Sequence, residues 1–282
     1  MKRPTLLALV CCLLAPAASA QQPSELERET EHLKILWVEG TRPELVDTAA
    51  SEGERFYASI AQLLGEAPEF KIAVVLQGPS EQPNGERKAP HVDPFGRILL
   101  YSYDPSGYSY FSALAHEMVH AFRFARRRTA DWFFEEGLAE MVALRVDDSL
   151  AGFPWFDYPV DLVAGQWIER GEDIPLQVMR ERHRETNMAC RAQTYTLRSS
   201  FFDYLGRTYG DSVIVAMASR EPAGALEDYE DLLGEEFDTL AVEWRQFLVE
   251  SYRNIPDREV KADRFRTESP IQYIPVCGAE DY

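Results

Sequence analysis

His116-Glu117-Met118-Val119-His120 lies in a stretch where Phe111, Leu114, Ala115, Met118 and Phe122 recur at helical spacing, and its reading decides how the rest of the chain is understood. Histidines four apart on a helix are separated by about 40° around the axis, so both imidazoles leave one face and can reach a single metal ion. That arrangement suits zinc. Glu117, beside the first imidazole, is placed to take a proton from a water whose pKa the metal lowers. The chain has five histidines, and with so few the pattern arises by chance in roughly one sequence in a hundred of this composition.

A catalytic zinc of this kind takes a third protein ligand and keeps one position open. Working outward, Trp132-Phe133-Phe134-Glu135-Glu136-Gly137-Leu138-Ala139-Glu140 follows far enough after His120 to end one helix, turn, and begin a second beside the metal. Glu136 has Glu140 one helical turn later on the same face, so Glu136 is expected to ligate while Glu140 orients an imidazole. Glu135 points about 100° away and has only Ala139 one turn on. The alternative is that all three are solvated helix charges; the apolar Trp132-Phe133-Phe134 entry argues for the ligand.

The chain holds 282 residues, 45% hydrophobic and 27% charged, which is ample for a packed core. Its formal net charge of −18 disfavours nucleic acid and anionic membranes as partners. Lys2 and Arg3, the apolar run Leu6 to Leu14, and Ala18-Ser19-Ala20 read as a secretory signal peptide over residues 1–20. Its loss removes two positive charges, from −18 to −20. No later stretch reaches about 18 apolar residues, so no membrane anchor is expected once the signal is gone. Export also leaves Cys190 and Cys277 as the remaining cysteines, an expected disulfide pair, with two unrelated buried thiols as the alternative.

Residues 21–42 read as a polar leader, loose or as a surface helix. Pro43 to Leu64 carries Leu45, Ala49, Phe56, Ile60 and Leu64 at helical spacing, with Pro43 suited to a first turn. Lys71 to Leu76 and Arg97 to Tyr101 read as strands, separated by a loop from Glu81 to Val92. Helices are expected to follow from Gly107, over Trp132–Val146, Pro159–Glu169, Ala192–Tyr209 and Phe237–Tyr252. His32, His91 and His183 read as surface residues. The expected architecture is α+β, with a small strand region at 70–105, zinc helices at 107–146, a helical lobe at 159–255 and a C-terminal tail at 256–282.

His116-Glu117-x-x-His120, followed by Glu136-Gly137-Leu138-Ala139-Glu140, resembles the gluzincin metallopeptidases, most closely their peptidase MA-like domains. The resemblance spans roughly residues 95–250. It implies a gluzincin-type metallopeptidase fold, one Zn2+, and Glu136 as third ligand. Tyr195, with Phe202, Tyr204 and Leu205 after it, is similar to the helix of aminopeptidase N-like members whose Tyr steadies the oxyanion. Arg97–Tyr101 is placed like the edge strand that pairs with an extended peptide. The Gly-x-Met-Glu-Asn segment that grips a substrate amino terminus has no counterpart between Ile72 and Ser106, so aminopeptidase specificity is not implied. Arg198, one turn after Tyr195, is a candidate contact for a substrate carboxylate, although arginines on helices more often face solvent.

The expected function is an exported zinc metallopeptidase, periplasmic or extracellular and bacterial, acting on a peptide or protein. Its catalytic residues are Glu117 and Tyr195. Two rivals stand beside it: a catalytically weak zinc domain that recognises peptides, and a zinc hydrolase of a non-peptide substrate.

Overall fold

The computed structural model describes residues 25–78, 90–101, 113–125, 131–146, 160–181, 190–258, 261 and 277. The signal-peptide reading, His183 and most of the C-terminal tail lie outside them. No helix among the described residues is long and apolar enough to cross a membrane.

Five strands form one sheet: β1 (Glu25–Glu29), β2 (Leu33–Val38), β3 (Ile72–Gln77), β4 (His91–Val92) and β5 (Ile98–Tyr101), in the order β1-β2-β3-β5-β4. β2, β3 and β5 run parallel, while β1 and β4 are antiparallel at the two edges. Parallel neighbours need a crossover, and α1 (Pro43–Leu64) supplies it between β2 and β3. Pro43 sits in its first turn, and Gly65 closes it at φ 67°, a left-handed conformation that glycine adopts without strain. Val46, Ala49, Phe56 and Ile60 of α1 share one core with Leu33, Ile35, Ile72, Val74, Leu76, Ile98 and Leu100 of the sheet.

The N-terminal expectation is corrected here. Part of the supposed polar leader, residues 21–42, forms β1 and β2, and the strand region begins at residue 25 rather than 70. β2 holds the apolar run Leu33-Lys34-Ile35-Leu36-Trp37-Val38, with Leu33 and Ile35 fully buried, and β1 pairs along its outer edge. The expected loop also contains β4, which places β5 between β3 and β4. Arg97–Tyr101 is therefore not the edge strand; His91–Val92 is.

The remaining elements are helices: α2 (Leu114–Ala125), α3 (Trp132–Val146), α4 (Val160–Arg170), α5 (Leu176–Glu181), α6 (Arg191–Tyr209), α7 (Asp211–Ser219), α8 (Leu226–Leu233) and α9 (Phe237–Arg253). This is the α+β composition expected. α3 packs mainly on α6 and α2, and α9 covers α4. Phe133 of α3, Phe201 and Phe202 of α6 and Phe237 of α9 interlock with ring centroids 5.4–6.1 Å apart, and the Trp244 indole N–H donates to Ser200 Oγ at 3.2 Å. This aromatic block fixes α3 against α6, and with them the two faces of the site.

Candidate metal centre

α2 presents His116 and His120 on one face, and α3 crosses it with Glu136. The two Nε2 atoms lie 3.0 Å apart; Glu136 Oε2 is 3.5 Å from His116 Nε2, and Glu136 Oε1 is 3.7 Å from His120 Nε2. Donors around a four-coordinate zinc at roughly 2.0–2.1 Å stand about 3.3 Å from one another, which these separations bracket. The group is largely buried, its side chains keeping 11%, 16% and 5% of their surface. Glu136 Oε2 is shielded from solvent and accepts no hydrogen bond among the described residues. A buried carboxylate oxygen without a donor, facing two imidazole nitrogens, is the signature of ligands converging on a cation. His116, His120 and Glu136 can thus hold a metal ion, and two imidazoles with one carboxylate suit zinc.

Electrostatics favour positive charge at this point. Burial alone would lower the His116 imidazole, yet Glu140 and Glu136 outweigh it and hold its pKa well above the ordinary value. His120 is raised in the same way, chiefly by Glu135 and Glu136. Glu136 is held down at about 2: its burial is overcome by His116, His120 and the charge of Arg198. Glu117 goes the other way. Desolvation pushes its carboxyl up against the pull of both imidazoles, which suits a group that must take and return a proton.

The side chains expected around the ligands are placed as follows. Glu140 Oε1 lies 2.9 Å from His116 Nδ1, so the residue expected to orient an imidazole stands beside one. The Tyr195 ring meets the His116 ring edge-on, centroids 6.0 Å apart, from α6. Arg198 is not on a solvent-facing surface: it is 3% exposed, its guanidinium 6.0 Å from the Tyr195 ring centre and 5.8 Å from that of Phe133. Tyr204 faces away from the site and donates to Glu243 at 3.3 Å. Cys190 and Cys277 are joined in a disulfide, Cα atoms 5.7 Å apart. The Cys277 N–H donates to Gln193 Oε1 at 2.9 Å, two residues before Tyr195.

Two residues escaped the sequence reading. Glu135 Oε1 lies 3.2 Å from His120 Nδ1, and its other oxygen takes the Arg123 Nε–H. The spacing argument looked for Glu135's partner on its own helix, whereas the partner is on α2. A signal for Arg123 existed: three residues after His120, it shares the helical face of both histidines. Of the histidines read as surface residues, His32 is half-buried, stacked on Tyr57 and 2.7 Å from Glu54, while His91 is exposed on β4, its ring 5.9 Å from that of Tyr101. The His91 charge also reaches Glu117.

No protein-family model matches the chain, and no curated protein matches it significantly.

Proposed function

We propose that this protein is a zinc-dependent hydrolase that cleaves peptide bonds, built as a gluzincin-type metallopeptidase. The observation that carries the reading is the convergence of His116 Nε2, His120 Nε2 and an unpartnered Glu136 oxygen, with the Glu117 carboxyl next to the first ligand on α2. Zinc at this point would lower the pKa of a water and polarise a substrate carbonyl.

The chain's own groups do the rest. His116 and His120 would hold the ion through Nε2 and Glu136 through its carboxylate. Glu117 takes a proton from the attacking water onto a carboxylate oxygen and returns it to the departing amine nitrogen. The phenol of Tyr195 donates a hydrogen bond to the carbonyl oxygen as charge gathers there. The buried walls around Glu117 and Glu136 limit competing water. A catalytically silent recognition domain has no need of a carboxyl beside the first imidazole, and Glu117 is in that position.

The deciding experiment is digestion of a random peptide library by the purified exported chain, with and without a chelator, read by mass spectrometry. Cleavage that stops with chelator and in Glu117→Gln supports the proposal. An intact library with zinc-loaded protein overturns the peptidase reading.

A further inference from the structure

We infer that Glu135 and Arg123 are positioning residues that set the His120 ring for its metal, and that they tie this ligand to the end of α7. The inference rests on the metal-site reading above. Each imidazole has its own carboxylate at Nδ1, which leaves both Nε2 atoms turned to the common centre: Glu140 stands at 2.9 Å from His116 and Glu135 at 3.2 Å from His120. A carboxylate acceptor at Nδ1 keeps the proton on that nitrogen and so sets the tautomer and the ring plane, which is what a metal-ligating histidine requires of its surroundings.

The two braces differ in what stands behind them. Glu135 is held from its far side by Arg123 Nε, and Arg123 Nη1 donates to the Ala218 carbonyl at 2.9 Å. Ala218 lies in the last turn of α7, at the end of the helix that carries partial negative charge, where a guanidinium is favourably placed. Arg123 is 3% exposed and its guanidinium lies 5.7 Å from the Phe134 ring centre. A buried cation removed from water at such cost needs a fixed anionic partner, and here it has one that also touches a ligand. The adjacent segment is fastened too: the Asp131 N–H donates to the Ala223 carbonyl at 2.9 Å, at the entrance of α3. Glu135 and Glu136, neighbours in sequence, thus divide the work: one addresses the ion, the other the imidazole beside it. Arg123 offsets the charge of the first and Arg198 acts on the second, which allows two acidic groups to lie side by side in a largely buried site.

The test is zinc affinity by competition with a chromogenic chelator, together with the visible absorption of the Co2+-loaded protein, which reports ligand geometry directly. Glu135→Gln, close in shape and volume, should raise the zinc Kd tenfold to a hundredfold and shift the Co2+ bands. Arg123→Lys should move both readouts in the same direction. Because Arg123 acts through Glu135, the double variant should be no weaker than Glu135→Gln alone. Glu54→Gln, remote from the site, should leave the Co2+ spectrum unchanged whatever it does to stability. Unaltered affinity and spectrum in Glu135→Gln overturn the inference, as do losses that simply add in the double variant. Should Arg123→Lys fail to fold, Glu135→Gln alone still decides. A wild-type chain that binds neither ion would overturn the metal-site reading itself, whereas wild-type binding with an indifferent Glu135 overturns this inference only.

Discussion

Gly137 on α3 rests directly against the Phe202 ring on α6, so closely that a Cβ at position 137 would come within 3 Å of Cδ2 and Cε2. Phe202 cannot simply turn aside, because the rings of Phe133, Phe134 and Phe201 enclose it at 5.3–5.7 Å. The contact sets the separation between the helix that carries Glu136 and the helix that carries Tyr195. Gly137→Ala should therefore force α3 and α6 apart, with a net loss of about 1–3 kcal/mol in urea unfolding. Alanine's advantage of about 1 kcal/mol over glycine within a helix works the other way, so a net loss identifies the steric contact. Weaker zinc binding should accompany it.

Metal analysis of the purified protein should give about one zinc per molecule. His116→Ala and Glu136→Ala should fall close to none. Glu117→Gln should retain the metal while losing roughly two to four orders of magnitude in turnover, because it removes a proton acceptor and no ligand. Full zinc occupancy in a His116→Ala, Glu136→Ala double variant would place the ion elsewhere.

Tyr195→Phe should lower kcat by about two to three orders of magnitude with zinc content unchanged, the loss expected when the proposed transition-state hydrogen bond is removed. Undiminished kcat would return Tyr195 to the role of a packing residue against the His116 ring.

Asp93 provides a pH test away from the metal. Its burial opposes ionisation, but the Phe95 and Arg97 backbone N–H groups, at 2.9 and 3.0 Å, and the Arg97 guanidinium, at 2.8 Å, together hold its pKa below the usual carboxylate value. A carboxylate depressed in the folded state contributes stability that is complete above the unfolded pKa, near 4, and is lost as pH falls through the folded value. Thermal melts should show Asp93→Asn to be destabilising at pH 7, with the gap from wild type closing as the pH drops below about 4. A gap that persists in strong acid would mean that ionisation of Asp93 contributes nothing.

The Cys190–Cys277 bridge closes a long loop, 87 residues in sequence separation, around the helix that carries Tyr195. Restricting the unfolded chain in this way is worth about 4 kcal/mol, so reduction should lower the urea midpoint substantially. Non-reducing peptide mapping should recover the two cysteines linked, and two alkylatable thiols in protein purified without reductant would contradict it.

Much of this was legible from residue types and spacing. α1, α2 and α9 repeat an apolar period long enough to be read directly, and the group His116, His120 and Glu136, which could hold a metal ion, followed from a helical angle. What was missed depended on partners distant in sequence. Leu33–Val38 is an ordinary strand run, but the charged Glu25–Glu29 beside it becomes a strand only because β2 offers it a ladder. β4 has two residues, too few for any period to show. Arg198 was weighed as a surface arginine because arginines on helices usually face solvent, yet this stretch of α6 is enclosed, with Gln193, Thr194, Thr196, Ser199 and Ser200 buried as well. Glu135 was dismissed for want of a partner on its own helix, when the partner stood across the interface.

The two ends of the sheet differ from its middle in a way that bears on the protein's behaviour before it is fully folded. An open strand edge is a template on which a second chain can add, and the risk is greatest while newly made protein is concentrated and incomplete. One edge here is Glu25-Leu26-Glu27-Arg28-Glu29, where four of five side chains are charged and three of those are acidic. The other ends after two residues and runs into Asp93-Pro94, where proline offers no N–H to a newcomer. Between them lie three strands rich in leucine, isoleucine and valine that would aggregate readily if exposed. Among the described residues, charge at one border and brevity at the other leave a second chain little backbone to pair with.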